Sequence, residues 1–402
     1  MNAEGMVREL LGFADVKVKG TNPWDIRVSD SRFYDRVLNN GSLGLGEAYM
    51  DGWWDCDRLD MFFDRVLSSG LEDKVSVKDA VLARVKSKLF NRQKKSRAFE
   101  IGEKHYDIGN DLYREMLDER MVYTCGYWTP LDTKDQTGQA NSLNNTKDQT
   151  GQGTVDLNGA QEAKLDLGCR KIGLEKGMRV LDVGCGFGSF AKYAAEKYAA
   201  EVIGVTVSKE QVELGRKMCE GLPVDLRLQD YRDVEESTFG HDSGVPKFDR
   251  VVSLGMMEHV GPKNYGTYMK KISECLDDDG LFLLQTIGSN VSVNSIDGWV
   301  DKYIFPNAVL PSVKQIGEAA EGKLVMRDWH EFGRDYDKTL MAWNENFQNG
   351  WERLSGKYGE RFKRMWEYYL LSCAGSFRAG RNQLWQIVFS KEGRVKDYES
   401  VR

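Results

Sequence analysis

The sequence lacks any long, uninterrupted run of apolar residues. No stretch approaches the ~18 apolar residues that a membrane-spanning helix requires. The N-terminus carries acidic residues early and has no apolar core of the signal-peptide kind, so we expect neither a secretion signal nor a transit peptide. We therefore predict a cytoplasmic protein whose contact with membranes is peripheral, at the inner membrane face.

The sequence also lacks paired metal-ligand motifs. Its seven cysteines are scattered without a CxxC pair, and its four histidines show no HxxxH spacing. These absences argue against a zinc site, and the odd, dispersed set of thiols argues against a disulfide framework. We expect most of the cysteines to be small buried apolar side chains.

Positive charge is in deficit overall but concentrated in one place. The 402 residues carry a net charge of -6, which argues against broad binding to nucleic acid. One segment, RVKSKLFNRQKKSRAF at 84–99, has seven basic residues and no acidic one. It fits either a solvated linker or a surface attracted to anionic lipid headgroups, at roughly 1 kcal/mol per basic residue.

Two segments outside the predicted catalytic region stand out. Helical spacing places Leu59, Phe62, Phe63 and Val66 on one apolar face, which packs on its own small domain or contacts lipid. The heptapeptide TKDQTGQ occurs twice in a polar stretch that cannot bury enough apolar area to order itself. We predict a flexible surface insertion at about 133–159.

From residue 179 onward, strand and helix patterns alternate. Apolar runs such as RVLDVG, EVIGVTV and GLFLLQTIG are separated by amphipathic segments, a pattern typical of a parallel sheet covered by helices on both faces. The sequence therefore predicts a doubly wound α/β domain. Long helices over 338–356 and 359–378 and a last strand in LWQIVFS follow.

The segment VLDVGCGFGSF has the features of a cofactor loop. Glycines after a strand allow a sharp turn close to a ligand, and the following helix N-terminus favours an anionic group, but dinucleotide enzymes share this device. Asp182, two residues before the first glycine, can serve a cationic ligand end, and the second strand has no acid at its tip for a ribose. QDYRD at 229–233 offers an amide, an acid and a ring for an adenine. Together these features favour S-adenosylmethionine.

Several longer motifs extend this interpretation to almost the whole chain. They are GSLGLGEAYMDGWW, HYDIGNDLY, YTCGYW, VLDVGCGFGS, GVTVSKEQ, QDYRD, MEHVGPKNY, YIFPN and CAGSFR. With them the sequence resembles the cyclopropane-fatty-acid synthases, a family that includes mycolic acid cyclopropane synthases and related lipid methyltransferases. The resemblance implies a lipid-engaging N-terminal domain at 1–80, a basic linker at 81–104 and a Rossmann-like methyltransferase domain at 105–402.

The resemblance also implies a reaction. A methylene group from S-adenosylmethionine is added to the cis double bond of unsaturated acyl chains in membrane phospholipids, and a bound bicarbonate acts as the base. The implied partners are these phospholipids and the anionic membrane surface, with no nucleic acid and with a homodimer left open.

Site residues carry over from the family motif by motif. The implied catalytic residues are Cys125, Glu258, Gln285, Ile287, Tyr336 and Cys373, of which the first five form the bicarbonate pocket. The implied cofactor contacts are Tyr123, Thr124, Asp182, Gly184, Gly186, Gly204, Thr206, Ser208, Gln211, Gln229, Asp230, Tyr231 and Arg232. Structural roles for Glu258 and Tyr336, and simple packing for Cys373, remain the alternatives.

Gln285 departs from the family, which usually has histidine there. Glutamine can hydrogen-bond bicarbonate but cannot be protonated, so methyl transfer without ring closure, giving methyl- or methylene-branched chains, is an alternative. A methyltransferase acting on a small soluble amine or phenol, and a catalytically silent lipid- or cofactor-binding protein, are two more. A nucleophilic Cys125 would alkylate itself beside a sulfonium, so we predict that this thiol is a wall of the pocket.

Overall fold

The computed structural model describes residues 2–71, 109–128, 145–147, 153–234, 247–393 and 397–402. The basic run and most of the polar repeat lie outside these ranges, so the predictions made for them are untested. No helix in the described ranges is long and apolar enough to cross a membrane. Within the same ranges, no group of histidine, cysteine, aspartate and glutamate side chains is placed to hold a metal ion.

Residues 2–71 fold into a small helical unit with a two-stranded antiparallel ribbon. Its elements are α1 (Ala3–Gly12), β1 (Ile26–Val28), α2 (Arg32–Met50), β2 (Trp54–Cys56) and α3 (Leu59–Ser68). Asn2 caps α1 by accepting a hydrogen bond from the Gly5 amide. Trp54 is fully buried, and its ring lies 5.2 Å from that of Phe62.

Four described elements lie in the chain between this unit and the sheet. They are α4 (Asn110–Met116), the antiparallel pair β3 (Asn145–Lys147) and β4 (Gly153–Val155), and α5 (Leu157–Lys171). The carboxylate of Asp156 accepts a hydrogen bond from the Gly159 amide at 2.8 Å and caps α5. The helix therefore begins at Leu157, within the last residues of the segment predicted as an insertion at about 133–159.

A seven-stranded sheet with helices on both faces dominates the remaining described residues. Its elements are β5 (Arg179–Val183), α6 (Ser189–Tyr198), β6 (Glu201–Thr206), α7 (Lys209–Met218), β7 (Val224–Leu228), β8 (Phe248–Leu254), α8 (Met257–Val260), α9 (Tyr265–Cys275), β9 (Leu276–Ser289), α10 (Gly298–Tyr303), α11 (Val313–Ala320), β10 (Val325–Glu331), α12 (Arg334–Leu354), α13 (Glu360–Arg378) and β11 (Asn382–Ser390). The strand order is β10-β11-β9-β8-β5-β6-β7. Strands β5 to β9 are parallel, and β11 is antiparallel to both of its neighbours. The predicted α/β fold is confirmed.

Alternate residues of β9 point to opposite faces of the sheet and contribute to two different hydrophobic cores. Phe282 and Leu284 join the core under α9 and α11, whereas Leu281 and Leu283 join the core under α5 and α6. Gln285 continues the second series, so it points to the α5 side of the sheet. The sequence analysis did not predict β10, because its segment VMRDWHE has no apolar run.

The apolar face of α3 packs in two directions. Phe62 meets Trp54 within the N-terminal unit, while the ring of Phe63 lies 5.2 Å from that of Tyr368 on α13. The two helices approach so closely that a Cβ at Gly375 would lie 2.6 Å from the carbonyl oxygen of Asp60. The packing interpretation holds for this face, and its partner includes α13 as well as the small unit itself.

Candidate active site

The predicted cofactor loop forms a left-handed turn between β5 and α6. Gly184, Gly186 and Gly188 have φ values of 81°, 56° and 80°, which residues with a Cβ rarely adopt. A Cβ at Gly184 would lie 2.7 Å from Cγ of Met256, whereas the space beside Gly186 is open. The loop therefore packs against the β8–α8 connection on one side and leaves room for a ligand on the other.

A cavity lies at the carboxyl ends of the parallel strands, where doubly wound sheets bind ligands. The predicted cofactor residues that line it are Tyr123, Thr124, Asp182, Gly184, Gly186, Thr206, Gln211, Gln229, Asp230, Tyr231 and Arg232. Gly204 and Ser208, also predicted as cofactor contacts, are not among the residues that line this cavity, and their role stays a prediction. A Cβ at Gly204 would sit 2.6 Å from the side chain of Leu226, so close packing requires that glycine. The Ser208 hydroxyl caps α7 by accepting from the Gln211 amide at 3.3 Å.

Asp182 places a buried acid in this cavity. Its side chain is 2% exposed, and its Oδ2 has no hydrogen-bond partner in the described residues. Burial raises the pKa of the carboxyl group to about 7, an effect that the charge of Lys164 opposes. A buried acceptor without a partner fits an ammonium group supplied by a ligand.

The segment QDYRD forms another wall of the cavity. Arg232 donates from Nε to Oδ1 of Asp230 at 2.8 Å and from Nη2 to Oδ2 at 2.6 Å. The ring of Tyr231 lies edge-on to that of Tyr268 at 5.4 Å. This bidentate pair fixes the acid next to the aromatic ring, an arrangement that fits a polar, planar group such as an adenine and its ribose.

Thr339 on α12 holds the segment YTCGYW against the site. Its Oγ1 accepts from the Gly126 amide at 3.0 Å and from Nε1 of Trp128 at 2.9 Å. Sγ of Cys125 donates to the carbonyl oxygen of Gly126 at 3.1 Å and lies 3.7 Å from the same threonine oxygen. Burial raises the pKa of the Cys125 thiol well above its ordinary value, so the thiol is neutral.

Glu258 lies on the short helix α8, directly after β8. Its Oε1 accepts from the Ile287 amide at 2.7 Å, while its Oε2 is buried without a hydrogen-bond partner in the described residues. Burial raises the pKa of this carboxyl to about 7, and the Ile287 amide opposes the shift. The group can therefore hold or release a proton near neutral pH.

Gln285 has a partner that the sequence analysis did not predict. In the antiparallel register of β9 and β11, Gln386 lies opposite it and donates from Nε2 to its Oε1 at 3.0 Å. This bond leaves Nε2 of Gln285 buried and without a partner within the described residues. The amide is thus oriented as a donor, and none of the described residues accepts its hydrogen bonds.

Tyr336 and Cys373 lie on α12 and α13. The Tyr336 ring stacks on that of Phe377 at 4.6 Å, and burial raises the pKa of its hydroxyl well above its ordinary value, with Cys125, Glu258 and Cys373 adding to the rise. Burial also raises the pKa of the Cys373 thiol to about 12. Cys373 is therefore neutral at pH 7, as Cys125 is. The structure thus brings these predicted residues within electrostatic reach of one another.

Aromatic rings connect Tyr336 with the cofactor cavity. The Tyr123 ring lies 5.3 Å from that of Trp343, which is 6.1 Å from the ring of Tyr336. The hydroxyl groups of Tyr123 and Tyr369 lie 3.1 Å apart, and the ring of Phe305 is 5.7 Å from that of Tyr369. A continuous set of π faces therefore adjoins the cofactor cavity at Tyr123.

Three residues of the site have no motif that could have identified them. Lys164, Thr339 and Gln386 come from two helices and the last strand, and each acts through a contact with a distant segment. Lys164 has the sequence context of an exposed helical lysine. Only the packing of α5 on the sheet reveals that it is buried.

The sheet order, the glycine turn and the buried acid beside it define an S-adenosylmethionine-dependent methyltransferase. The sequence model described as mycolic acid cyclopropane synthetase matches residues 93–387. The cyclopropane-fatty-acyl-phospholipid synthase of Escherichia coli (strain K12) is 49% identical over 388 residues, which cover 96% of this chain and 93% of that protein. The chain therefore belongs to the mycolic acid cyclopropane synthetase family.

Two further comparisons agree. A probable fatty acid methyltransferase of Pseudomonas putida is 35% identical over 302 residues, which cover 71% of this chain and 68% of that protein. The crystal structure of mycolic acid cyclopropane synthase CmaA1 complexed with SAH and CTAB superposes with a TM-score of 0.59 at 27% identity, covering 73% of this chain and 98% of that one. The family and the enzyme class predicted from the sequence are confirmed.

Proposed function

We propose that this enzyme adds a methylene group from S-adenosylmethionine to the cis double bond of unsaturated acyl chains in membrane phospholipids, forming cyclopropane fatty acids with bicarbonate as the base. The observation that carries the proposal is the pair of buried, unpartnered polar atoms at Oε2 of Glu258 and Nε2 of Gln285. The charge of Glu258 acts on Tyr336, whose ring lies 6.1 Å from that of Trp343. Trp343 in turn lies 5.3 Å from the ring of Tyr123, which lines the cofactor cavity. The name of the Escherichia coli relative, cyclopropane-fatty-acyl-phospholipid synthase, fits the formation of a cyclopropane ring on a phospholipid acyl chain.

The first step needs positioning more than side-chain chemistry. An alkene attacks the sulfonium methyl, the carbon–sulfur bond breaks, and a carbocation forms on the acyl chain while S-adenosylhomocysteine leaves. The rings of Tyr123, Tyr336 and Trp343 can stabilise this cation, at about 0.5–2 kcal/mol for each cation–π contact. The neutral thiols of Cys125 and Cys373 do not capture it, because a thiol is a far weaker nucleophile than a thiolate.

Ring closure requires removal of a proton from the added carbon. Bicarbonate, when bound, would supply the basic oxygen for this removal. Glu258, Gln285 and Tyr336 would hold the anion: the amide and the phenol hydroxyl donate hydrogen bonds, and Oε2 of Glu258 accepts one from the bicarbonate hydroxyl. Because its pKa lies at about 7, Glu258 can take up the proton at that oxygen and return it to solvent between turnovers.

A second candidate is methyl transfer without ring closure. Gln285 favours it, since an amide cannot carry the positive charge that a histidine would offer to an anion. In that case the cation would lose a proton from a neighbouring chain carbon and retain a double bond. The Pseudomonas putida relative is named as a probable fatty acid methyltransferase, which fits this alternative.

Membrane contact belongs to the same proposal. The acyl substrate stays in the bilayer, so the enzyme would act as a peripheral protein on an anionic surface, using the N-terminal unit and the basic run at 84–99. The domain division at 80 and 104 and a homodimer stay predictions.

The deciding experiment uses S-adenosylmethionine with a trideuterated methyl group. The full chain is incubated with vesicles of monounsaturated phosphatidylglycerol, with and without bicarbonate, and the acyl products are analysed by mass spectrometry before and after ozonolysis. We expect bicarbonate-dependent products that have lost one deuteron and resist ozonolysis. Products that are still cleaved by ozone would contradict ring formation and support the second candidate.

A further inference from the structure

Lys164 is a buried cation on the wall of the cofactor cavity, and the proposed reaction does not use it. The residue lies on α5, is 1% exposed, and lines the cavity together with Thr124 and Asp182. A desolvated ammonium group is costly unless another group compensates its charge. The position therefore calls for an anionic partner.

The contacts of Lys164 within the protein compensate this charge only in part. Its Nζ donates to Oγ1 of Thr124 at 2.8 Å, and no carboxylate oxygen of the described residues lies within 4.0 Å of it. The charges of Asp118 and, more weakly, Asp182 act on Lys164. The Asp118 carboxylate already accepts from the amides of Arg120 at 3.0 Å and Val122 at 2.8 Å. The ammonium group thus retains donors that no side chain of these residues takes up.

Thr124 is held so that its hydroxyl faces Lys164. Its Cγ2 lies 2.9 Å from the position that a Cβ would take at Gly255, so the methyl group packs on bare backbone. Its carbonyl oxygen accepts from Nε2 of Gln161 at 2.7 Å. The hydroxyl and the ammonium group therefore form a preorganised pair of donors at the cavity wall.

The amino-acid end of S-adenosylmethionine carries an ammonium and a carboxylate group on one carbon. Asp182, with its unpartnered Oδ2, suits the ammonium group and repels the carboxylate. A lysine beside a hydroxyl suits the carboxylate, because charge-assisted hydrogen bonds are the strongest that a neutral-pH site can offer. Burial lowers the pKa of Lys164 to about 8, which leaves most of it protonated at pH 7.

We propose that Lys164 and Thr124 bind the carboxylate of the methionine moiety, while Asp182 binds its ammonium group. The inference rests on the proposed use of S-adenosylmethionine and adds the residues that select an amino acid over a simple amine. The alternative is that Lys164 only neutralises Asp118 and Asp182 within the protein.

Two ligands separate these roles in the unmodified enzyme. S-Adenosylhomocysteine carries the carboxylate, and 5′-deoxy-5′-(3-aminopropylthio)adenosine is the same molecule without it. We expect calorimetry to show that the first binds about 100-fold more tightly, as for other buried charged pairs. Equal affinities would overturn the proposal, whereas failure of both ligands to bind would instead reject the co-substrate.

Variants then locate the effect. In Lys164→Gln the preference for the carboxylate ligand should fall to within about three-fold, because only that ligand loses a partner. Lys171→Gln is the matched control: it removes another buried lysine of α5, one that lies 3.6 Å from Oδ2 of Asp328 and outside the cavity lining. The control should keep the full preference.

A further variant protects the test against misfolding. If Lys164→Gln does not fold, Thr124→Val keeps the shape of the side chain and removes Oγ1. It should weaken S-adenosylhomocysteine by about ten-fold and leave the amine ligand unchanged. An undiminished preference in either folded variant would contradict the assignment.

Discussion

The two halves of the active site differ in how they handle charge. The cofactor half gathers ionisable groups in a small volume: Asp182, Lys164, Asp118 and the pair of Asp230 with Arg232. The half next to it consists mainly of aromatic rings, neutral thiols and an acid whose pKa lies at about 7. In the proposed complex, the full charges of the protein lie next to the permanent charges of S-adenosylmethionine, and the aromatic rings lie next to the short-lived carbocation.

This difference has a physical reason. A permanent ligand charge repays the desolvation of an opposite charge in the protein, because both are present whenever the complex forms. A carboxylate in direct contact with a carbocation would instead combine with it, and in the proposed mechanism Glu258 contacts the bicarbonate rather than the cation. Ring faces lower the energy of the cation without forming a bond. The two halves should therefore respond differently to substitution.

The largest expected effect is on turnover in the aromatic half. Glu258→Gln keeps an acceptor for the Ile287 amide but cannot take up a proton, so we expect kcat to fall by about 1000-fold, within the range for a lost acid–base group. The affinity for S-adenosylhomocysteine, measured by calorimetry, should stay unchanged. A matching loss of affinity would show that the two halves do not act separately.

The pH profile sharpens the same prediction. In the unmodified enzyme kcat should rise as pH increases through about 7, because Glu258 accepts a proton only after it ionises. The profile is measured at saturating bicarbonate. A rise at the same pH in Glu258→Gln would assign it to another group.

The next largest effect is on binding in the cofactor half. Asp182→Asn removes the partner of the ligand ammonium group, so S-adenosylhomocysteine should bind about 100-fold more weakly. Titration calorimetry measures the loss. Glu258→Gln, measured alongside, is the matched control, since it changes a buried acid outside the cofactor cavity.

Asp182→Asn should bind the ligand more weakly but make the ligand-free protein more stable. The folded state raises the pKa of Asp182 from 3.8 to about 7, so the stability that its neutral form provides is present below the first value and is lost as pH rises through the second. Asp182→Asn removes this loss. The ligand-free variant should therefore unfold at a higher temperature than the parent at about pH 8, and an equal or lower temperature would contradict a costly buried charge.

The two halves also differ in how far they could be predicted. Asp182 and the glycine turn lie within a few consecutive residues, so local geometry was readable from the sequence. Gln386 meets Gln285 only through the antiparallel register of β11, and Thr339 reaches Gly126 across more than two hundred residues. Gly204 shows a second limit of prediction from sequence. A glycine that close packing against Leu226 requires cannot be distinguished in the sequence from a glycine that contacts a ligand.

A smaller effect is expected where the chain departs from its family. Gln285→His keeps an acceptor for Nε2 of Gln386 and turns the position into a titratable donor. We expect the bicarbonate concentration that gives half-maximal rate to fall several-fold, and to fall further as pH decreases and the imidazole becomes charged. Gln285→Asn, which shortens the amide, should raise it. No response to bicarbonate in any of the three proteins would mean that the anion is not held here.

The smallest effect is expected at the thiol of Cys125, which directly follows the cavity-lining residues Tyr123 and Thr124. Cys125 is fully buried, and its Sγ donates a hydrogen bond to the carbonyl oxygen of Gly126. Burial raises the pKa of the thiol well above its ordinary value. Serine can make the same bond, so Cys125→Ser should keep kcat within about three-fold of the parent, a loss of the size of one weak hydrogen bond. Cys373→Ser is the parallel measurement at the other neutral thiol. If kcat fell by several orders of magnitude in Cys125→Ser alone, while the affinity for S-adenosylhomocysteine stayed intact, the Cys125 thiol would take part in the reaction. That result would contradict the assignment of Cys125 as an unreactive side chain.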